Sequence, residues 1–463
     1  MRGLGRIGTR RIEIKAMKKT KDPIFLLEKR TERHQKRKKI RAKSDTEKKL
    51  PFQNRKIKYL CSISNRHAND KYSEKADFTV PRNFSLIENP DETLSFINQV
   101  AKTITLPHLK TIYFDHRDVI NHDLGAELLL GFAASEVKLA AANRNREIRI
   151  VGHYPSSERK KQLIKALGVV KRLDLDGHRI DTGEESLEVF DFEGAPETVY
   201  RSGSEDRKNR CVRKFVEHIN ACVSHMGKKL TTAAVESLTT YMGEVIGNAE
   251  DHSGESRWYV YGYLDEGNHN DEDTSEVHFC EIVIFNFGKT FSDTFTELDE
   301  ESFSFKVAHP YVKAHEKKGF FNSRWTVEDL FTLVALQGNI SSKLKDQNSD
   351  RGRGTVDLIE FFQNVAIECE KNGENLSRMS IISGKTTIFF DGKYRIEEKD
   401  GMEVIAFNND NDLKQQPDRN YIKRLKQSTF PGALIAIRFP LESNKESLED
   451  SVDNPPAEQD NGN

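Results

Sequence analysis

The chain has 463 residues, room for two or three domains and a sizeable core. A hydrophobic share of 36% beside a charged share of 31% fits a globular protein with polar extensions, and the absence of any run of about eighteen apolar residues excludes a membrane-spanning helix. The formal net charge of −1 averages a basic start (HQKRKKIRAKS) with an acidic end (ESLEDSVDNPPAEQDNGN), so overall charge identifies no partner.

Residues 1–75 are rich in Lys and Arg and poor in hydrophobics; they read as an arm, either a solvated tail or a binding arm, because such a segment buries too little apolar surface to offset chain entropy. The arm's charge could attract nucleic acid or anionic lipid, but no aromatic residues interleave its most basic part to stack on bases. From 80 to 200, TIYFD, LGAELLLGFAASEVKLAAA, EIRIVG and SERKKQLIKALGVV alternate strand and helix patterns and predict an α/β layer. In the first of these helices Leu124, Leu128, Phe132 and Ala133 share a face that should pack on a sheet. After a linker at APETVYRSGSEDRKN come two helices, RCVRKFVEHINACVSHMGKKL and TTAAVESLTTYMGEVIGNAEDH. Strand-like runs follow at SRWYVYGYL, EVHFCEIVIFNFG, MSIISGKTTIFF, VIAFN and ALIAIRFPL. The expected fold class is α+β: a two-layer helix-on-sheet sandwich over 205–442, preceded by a smaller α/β domain and the basic arm, and followed by an acidic tail over 443–463.

Cys61, Cys211, Cys222, Cys280 and Cys369 are odd in number, scattered and without a CxxC pair. That pattern argues against a disulfide framework and a thiolate zinc site and predicts reduced thiols; together with an N-terminus lacking a signal-peptide apolar stretch, it predicts a cytoplasmic protein.

The most informative stretch is GEVIGNAEDHSG, residues 243–254. At roughly 100 degrees per residue, with Glu244 at zero, Asn248 falls near 40, Asp251 near −20 and His252 near 80 degrees. Val235, Leu238, Met242, Val245 and Ala249 occupy roughly 100 to 180 degrees on the same wheel, so the polar edge borders the core face.

This spacing resembles the ExxxN motif of the GHKL, or Bergerat-fold, ATPase superfamily, which includes gyrase and the catalytic domains of histidine kinases. The resemblance implies that Asn248 coordinates Mg²⁺ held by the phosphates of ATP and that Glu244 orients or deprotonates the attacking water, with Asp251 and His252 beside them. In the family a DxGxG motif follows a strand. Here EIVIFNFGKTF places Asn286 at the Asp position, keeps Gly288, follows it with Lys289 and puts Thr290 where the second Gly would stand. An amide can donate as well as accept, so ATP and GTP both remain open as ligands. The family's phosphate loop is matched by NSDRGRGTVDLIEFF, implying phosphate contacts from Arg351, Gly352, Gly354 and Thr355 at the start of a helix; Lys343 is a further source of positive charge. STFPGALIAIRFPL resembles the family's closing strand, and the segment between the second and third motifs corresponds to its nucleotide lid. The front α/β segment loosely resembles STAS domains. Its turn DHRDVINHDLG offers no Ser or Thr phosphoacceptor, so the resemblance implies a scaffold or sensor.

The functional expectation is a Mg-ATP-binding and hydrolysing regulatory module, a nucleotide-dependent switch acting on a protein partner, with a homodimer as one assembly the family uses. The alternatives are an anti-sigma-type protein serine kinase and a nucleotide-binding scaffold without turnover. A histidine kinase is disfavoured, since neither His218 nor His225 is followed by an acidic neighbour.

Overall fold

The structure is a computed structural model that describes residues 73–173, 187–194, 207–224, 229–253, 257–265, 278–316, 325–338, 340, 354–369, 375–399 and 401–441. These residues form a mixed α+β protein in which no helix is long and apolar enough to cross a membrane. The basic arm, apart from its last residues, and the acidic tail lie outside the described residues.

The front segment runs β1 (Lys75–Thr79), β2 (Asn83–Phe84), α1 (Pro90–Lys102), β3 (Thr111–Asp115), β4 (Asn121–His122), α2 (Leu124–Ala142), β5 (Arg149–His153), α3 (Glu158–Ala166) and α4 (Val169–Leu173). Strands β1, β3 and β5 pair in parallel in that order, which requires long crossovers; α1 and α2 supply them. Strand β1 and helix α1 precede the first strand read from the sequence. Helix α2 starts at Asp123, whose side chain accepts the Ala126 N–H at 2.8 Å. It is buried on nearly every side, the expected Leu124, Leu128, Phe132 and Ala133 included. An apolar helix of this kind needs cover all round, and α2 finds it by packing against a second, larger sheet.

That sheet is assembled from β6 (Leu187–Gly194), β7 (Trp258–Asp265), β8 (His278–Phe287), β9 (Arg378–Gly384), β10 (Thr386–Phe390), β13 (Ile422–Arg424) and β14 (Phe430–Leu441). Its order is β13-β10-β9-β14-β8-β7-β6, with every neighbouring pair antiparallel. Strand β6 falls inside 80–200 in sequence, yet it is an edge strand of this sheet, at the end opposite β13. Helices α5 (Arg207–Ser224), α6 (Thr232–His252), α7 (Phe291–Thr296), α8 (Phe303–Glu316), α9 (Val327–Val334) and α10 (Gly354–Glu368) belong to the same half of the chain, and a small hairpin of β11 (Glu397–Lys399) and β12 (Met402–Val404) lies outside the sheet.

Two expectations are corrected. The run VIAFN is not a strand beyond Val404: Ile405 to Phe407 are buried coil, and Asn411 takes the place of a strand neighbour by accepting the Ala406 N–H at 2.7 Å and donating to the Val404 carbonyl at 3.0 Å. The cysteines are not all free. Cys222 on α5 and Cys280 on β8 form a disulfide with a Cα–Cα separation of 6.0 Å, 58 residues apart, whereas Cys211 and Cys369 are buried thiols.

Side chains alternate across a strand, and β8 shows both consequences. Cys280, Ile282 and Ile284 join the core beneath the helices, while Val283, Phe285 and Phe287 join the core of the front segment. Phe132 of α2 meets Tyr259 and Phe285 edge to face at 5.3 and 5.6 Å. Polar ties complete the seam. Glu281 accepts the Leu124 N–H at 2.6 Å at the start of α2 and pairs with Arg438 at 3.0 Å, and Arg438 also donates to the His122 carbonyl at 2.7 Å. Asp91, in the first turn of α1, accepts backbone N–H groups of Lys426, Gln427 and Ser428 at 3.0–3.1 Å and the Ser428 hydroxyl at 2.8 Å.

Beside this seam Glu127 is fully buried, with His122 Nδ1 3.3 Å from its carboxylate and His116 at 3.8 Å. Burial pushes the Glu127 carboxyl up to about 7 and the His122 imidazole down to about 4. With its folded value above the ordinary 4.5, Glu127 holds a proton that the unfolded chain releases. Its contribution to stability is therefore fully present below the ordinary value and lost as pH rises through the folded one. His122 acts in the opposite sense, contributing above its ordinary 6.5 and losing that contribution as pH falls through about 4.

Two outcomes follow for stability. Arg438→Met, which strands the Glu281 carboxylate in the core, should cost about 3–5 kcal/mol in urea unfolding, and the double variant with Glu281→Met should recover much of it. Glu127→Gln should gain stability relative to the parent as pH is raised from about 5 to about 8. Unfolding midpoints measured across that range would run parallel if Glu127 did not titrate as assigned.

Candidate functional site

The period-2 alternation that puts Ile282 and Ile284 under the helices carries Asn286, the next residue on that face, to the end of β8, where it is buried and lines a cleft between the helices and the sheet. Ile284, Asn286, Ala433 and Ile435 form the floor. One wall is α6, which presents Val245, Asn248 and Ala249. Thr231 starts that helix by accepting the Ala234 N–H at 3.2 Å, and Leu238, Met242 and Ile246 bury its apolar face. Opposite stand Lys289, Thr290 and the start of α7, with Ala335 and Ile340 after α9 and Thr355 in the first turn of α10 closing the perimeter.

The cleft thus gathers Asn248, Asn286, Lys289 and Thr355 from three separate pieces of chain: α6, the end of β8 with its turn, and the start of α10. Among the described residues neither the Asn248 nor the Asn286 carboxamide has a protein hydrogen-bond partner, so both ends of both amides are available to a ligand in the cleft. The N-terminal turn of α10, a helix of 15 residues, supplies backbone N–H groups and a favourable dipole for an anion near Thr355. Lys289 pairs with Glu297, which holds its charge at the cleft margin.

Other expected residues fall differently. Glu244 lies one turn before Asn248 on α6, half-buried, but does not line the cleft. Asp251 and His252 belong to the last turn of α6, and their side chains lie outside the described residues, as do Arg351, Gly352 and Lys343. Gly354 is the first residue of α10.

Gly288 does not line the cleft; it lets the cleft form. Its φ is +132°, and a Cβ there would stand 2.0 Å from the Ser253 carbonyl oxygen. That close approach lets the turn after β8 join the end of α6, with the Lys289 N–H donating to Ser253 O at 2.7 Å and the Gly288 N–H to Pro431 O at 3.0 Å. Thr290 is not a defective glycine position. Its φ of −78° suits any residue, and it opens α7 with a capping box: its hydroxyl accepts the Asp293 N–H at 3.1 Å while Asp293 accepts the Thr290 N–H at 2.9 Å.

Sequence reasoning missed Ser253, Thr294, Ala335 and Ile340. The Thr290-x-x-Asp293 spacing was a readable signal for the helix that holds Thr294, whereas Ala335 and Ile340 arrive only through tertiary packing of α9. That helix is fixed to the sheet edge by charge: Glu328 accepts the Lys385 N–H at 2.7 Å and pairs with Arg424 at 3.0 Å, and Asp329 accepts the Thr386 hydroxyl at 2.8 Å.

Compared with known proteins, the chain matches no protein-family model, no curated protein and no solved structure. The site therefore has to be read from its own chemistry. Gly288→Ala should lower stability by at least about 2 kcal/mol, because added strain and the clash with Ser253 O act together, and thermal melting would register it. A melting temperature equal to that of the parent would mean that α6 and the β8 turn are not held together in this way.

Proposed function

We propose that the cleft binds a Mg²⁺-nucleotide, ATP in the first instance, and that the protein is a nucleotide-dependent regulatory module with a Bergerat-type helix-on-sheet fold. The observation that carries this reading is the convergence of the two unpartnered carboxamides, Asn248 and Asn286, with the N-terminus of α10 around one cleft.

The residues present fit such a ligand. The Asn248 carboxamide oxygen is a hard donor of the kind Mg²⁺ accepts, and one protein oxygen suffices when phosphates and water complete the octahedron. When bound, the ion would offset phosphate charge and orient the nucleotide's terminal oxygens. Asn286, buried at the floor, reads the base edge by donating or accepting. Thr355 and the first N–H groups of α10 hold phosphate, assisted by the Lys289 ammonium.

The switch aspect rests on β8. The strand end that brings Asn286 to the cleft sends Phe285 and Phe287 into the core shared with the front segment, so a change at the nucleotide is one residue removed from the packing of α2. Since Glu244 does not line the cleft, binding without turnover is the second reading; in the first, Glu244 acts as the base that activates water once the nucleotide is bound.

The test is calorimetric titration with ATP and with GTP, with and without Mg²⁺. Asn248→Ala should weaken Mg²⁺-dependent binding about tenfold or more, equivalent to about 1.4 kcal/mol. Binding that is unchanged in the variant, or absent in the parent, would remove the assignment. Phosphate release lost in Glu244→Gln, with affinity retained, would identify turnover; equal release from both proteins would exclude Glu244 as the base.

A further inference from the structure

Away from the cleft, the helix layer buries a second group of chemically versatile side chains. His218 and Cys222 are one turn apart on α5, so both project toward the sheet, where Cys280 lies near the start of β8 on the face that also carries Ile282 and Ile284. All three are buried. Nε2 of His218 is 3.7 Å from Cys222 Sγ and 3.8 Å from Cys280 Sγ. A tetrahedral ion with bonds of about 2.3 Å to sulfur and about 2.0 Å to nitrogen separates such ligand atoms by roughly 3.5 Å.

The adjacent strand is shaped to admit the imidazole. Gly262 of β7 lies beside Cys280 and Ile282, and a Cβ at Gly262 would be 2.5 Å from His218 Nε2. The ring therefore occupies the space that any other residue's side chain would take, in a strand otherwise built of large residues (WYVYGYLD). Burial also disposes of the histidine-kinase reading for His218, which faces the sheet and not solvent.

We propose that, when Cys222 and Cys280 are reduced, His218 Nε2 and the two thiolates bind one divalent ion of the zinc class, fixing α5 to β8. Two thiolates and a neutral imidazole balance the two positive charges of the ion, so the assembly enters the apolar layer without net charge. Each thiol gives up its proton to solvent as the ion binds. One tetrahedral position remains for a small exogenous ligand such as water. The metal and the disulfide are mutually exclusive, because the sulfurs bonded to each other no longer offer thiolates to the ion.

Co²⁺ is the probe, since thiolate coordination gives it intense near-ultraviolet absorption and tetrahedral geometry gives it visible bands. The full chain, reduced with a non-coordinating phosphine and then freed of it, should develop both absorptions, saturate at one equivalent, and lose them when Zn²⁺ is added. The same protein with its disulfide intact should stay colourless. Cys222→Ser and Cys280→Ser should each abolish the near-ultraviolet band of the two-thiolate site, and Gly262→Ala should weaken Co²⁺ affinity at least tenfold by displacing His218. The parent protein decides the matter without any variant: absence of cobalt absorption once thiol titration shows the pair reduced overturns the proposal. Absorption that survives in both serine variants overturns it equally, by placing the metal elsewhere.

Discussion

The structure depends on a sheet that must be covered on both faces. Strand β8 is apolar on both sides, Cys280, Ile282 and Ile284 on one and Val283, Phe285 and Phe287 on the other, and a strand of that pattern is stable only between two layers. Helices α5, α6 and α10 cover one face. The front segment, chiefly α2, covers the other. This explains why the most polar ties in the seam are so thoroughly satisfied. Glu281 and Arg438 are charged side chains inside the protein, and each is held by the other and by a backbone group of the front segment.

The same strand organises the candidate site. Its last helix-side residue, Asn286, is the point where the continuous apolar face gives way to an amide, and the turn that follows must pass within contact of the end of α6. Only a residue without Cβ allows that at Gly288, and Gly432 meets a matching demand from β14, where a Cβ would stand 2.0 Å from the Asn286 carbonyl. Two glycines therefore permit the close approaches on which the cleft floor depends, while the capping box at Thr290 starts the helix that lines one side and that at Thr326 starts α9, after which Ala335 and Ile340 reach the cleft.

Much of this was legible in the sequence because it depends on local periodicity. The wheel position of Asn248 follows from 3.6 residues per turn, and that of Asn286 from strand alternation, so both could be expected at a core border before any packing was known. Thr355 could likewise be placed at a helix start. Comparison with a motif does not disclose that Thr290 begins a helix; its spacing to Asp293 does. Strand β6 was not read from the sequence, and its place in the larger sheet could not be, since a strand's partner lies in no local signal: LEVFDFEG alternates equally well for any sheet with a free edge. The pairing of Cys222 with Cys280 was invisible for a related reason. Their separation of 58 residues spans a whole helix and a strand, and no spacing rule relates them.

The sequence by itself determined the α+β class, the helices carrying Asn248 and Thr355, and the strand carrying Asn286, all of which arise from interactions within a few residues along the chain. Tertiary structure alone decided that Asn248, Asn286, Lys289 and Thr355 share one cleft, that Glu244 stands outside its lining, that His218 meets two cysteines from different elements, and that the front segment covers one face of the large sheet. Those outcomes depend on long-range burial, which selects among many locally equivalent arrangements the one that covers both faces of β8 and leaves its buried charges paired.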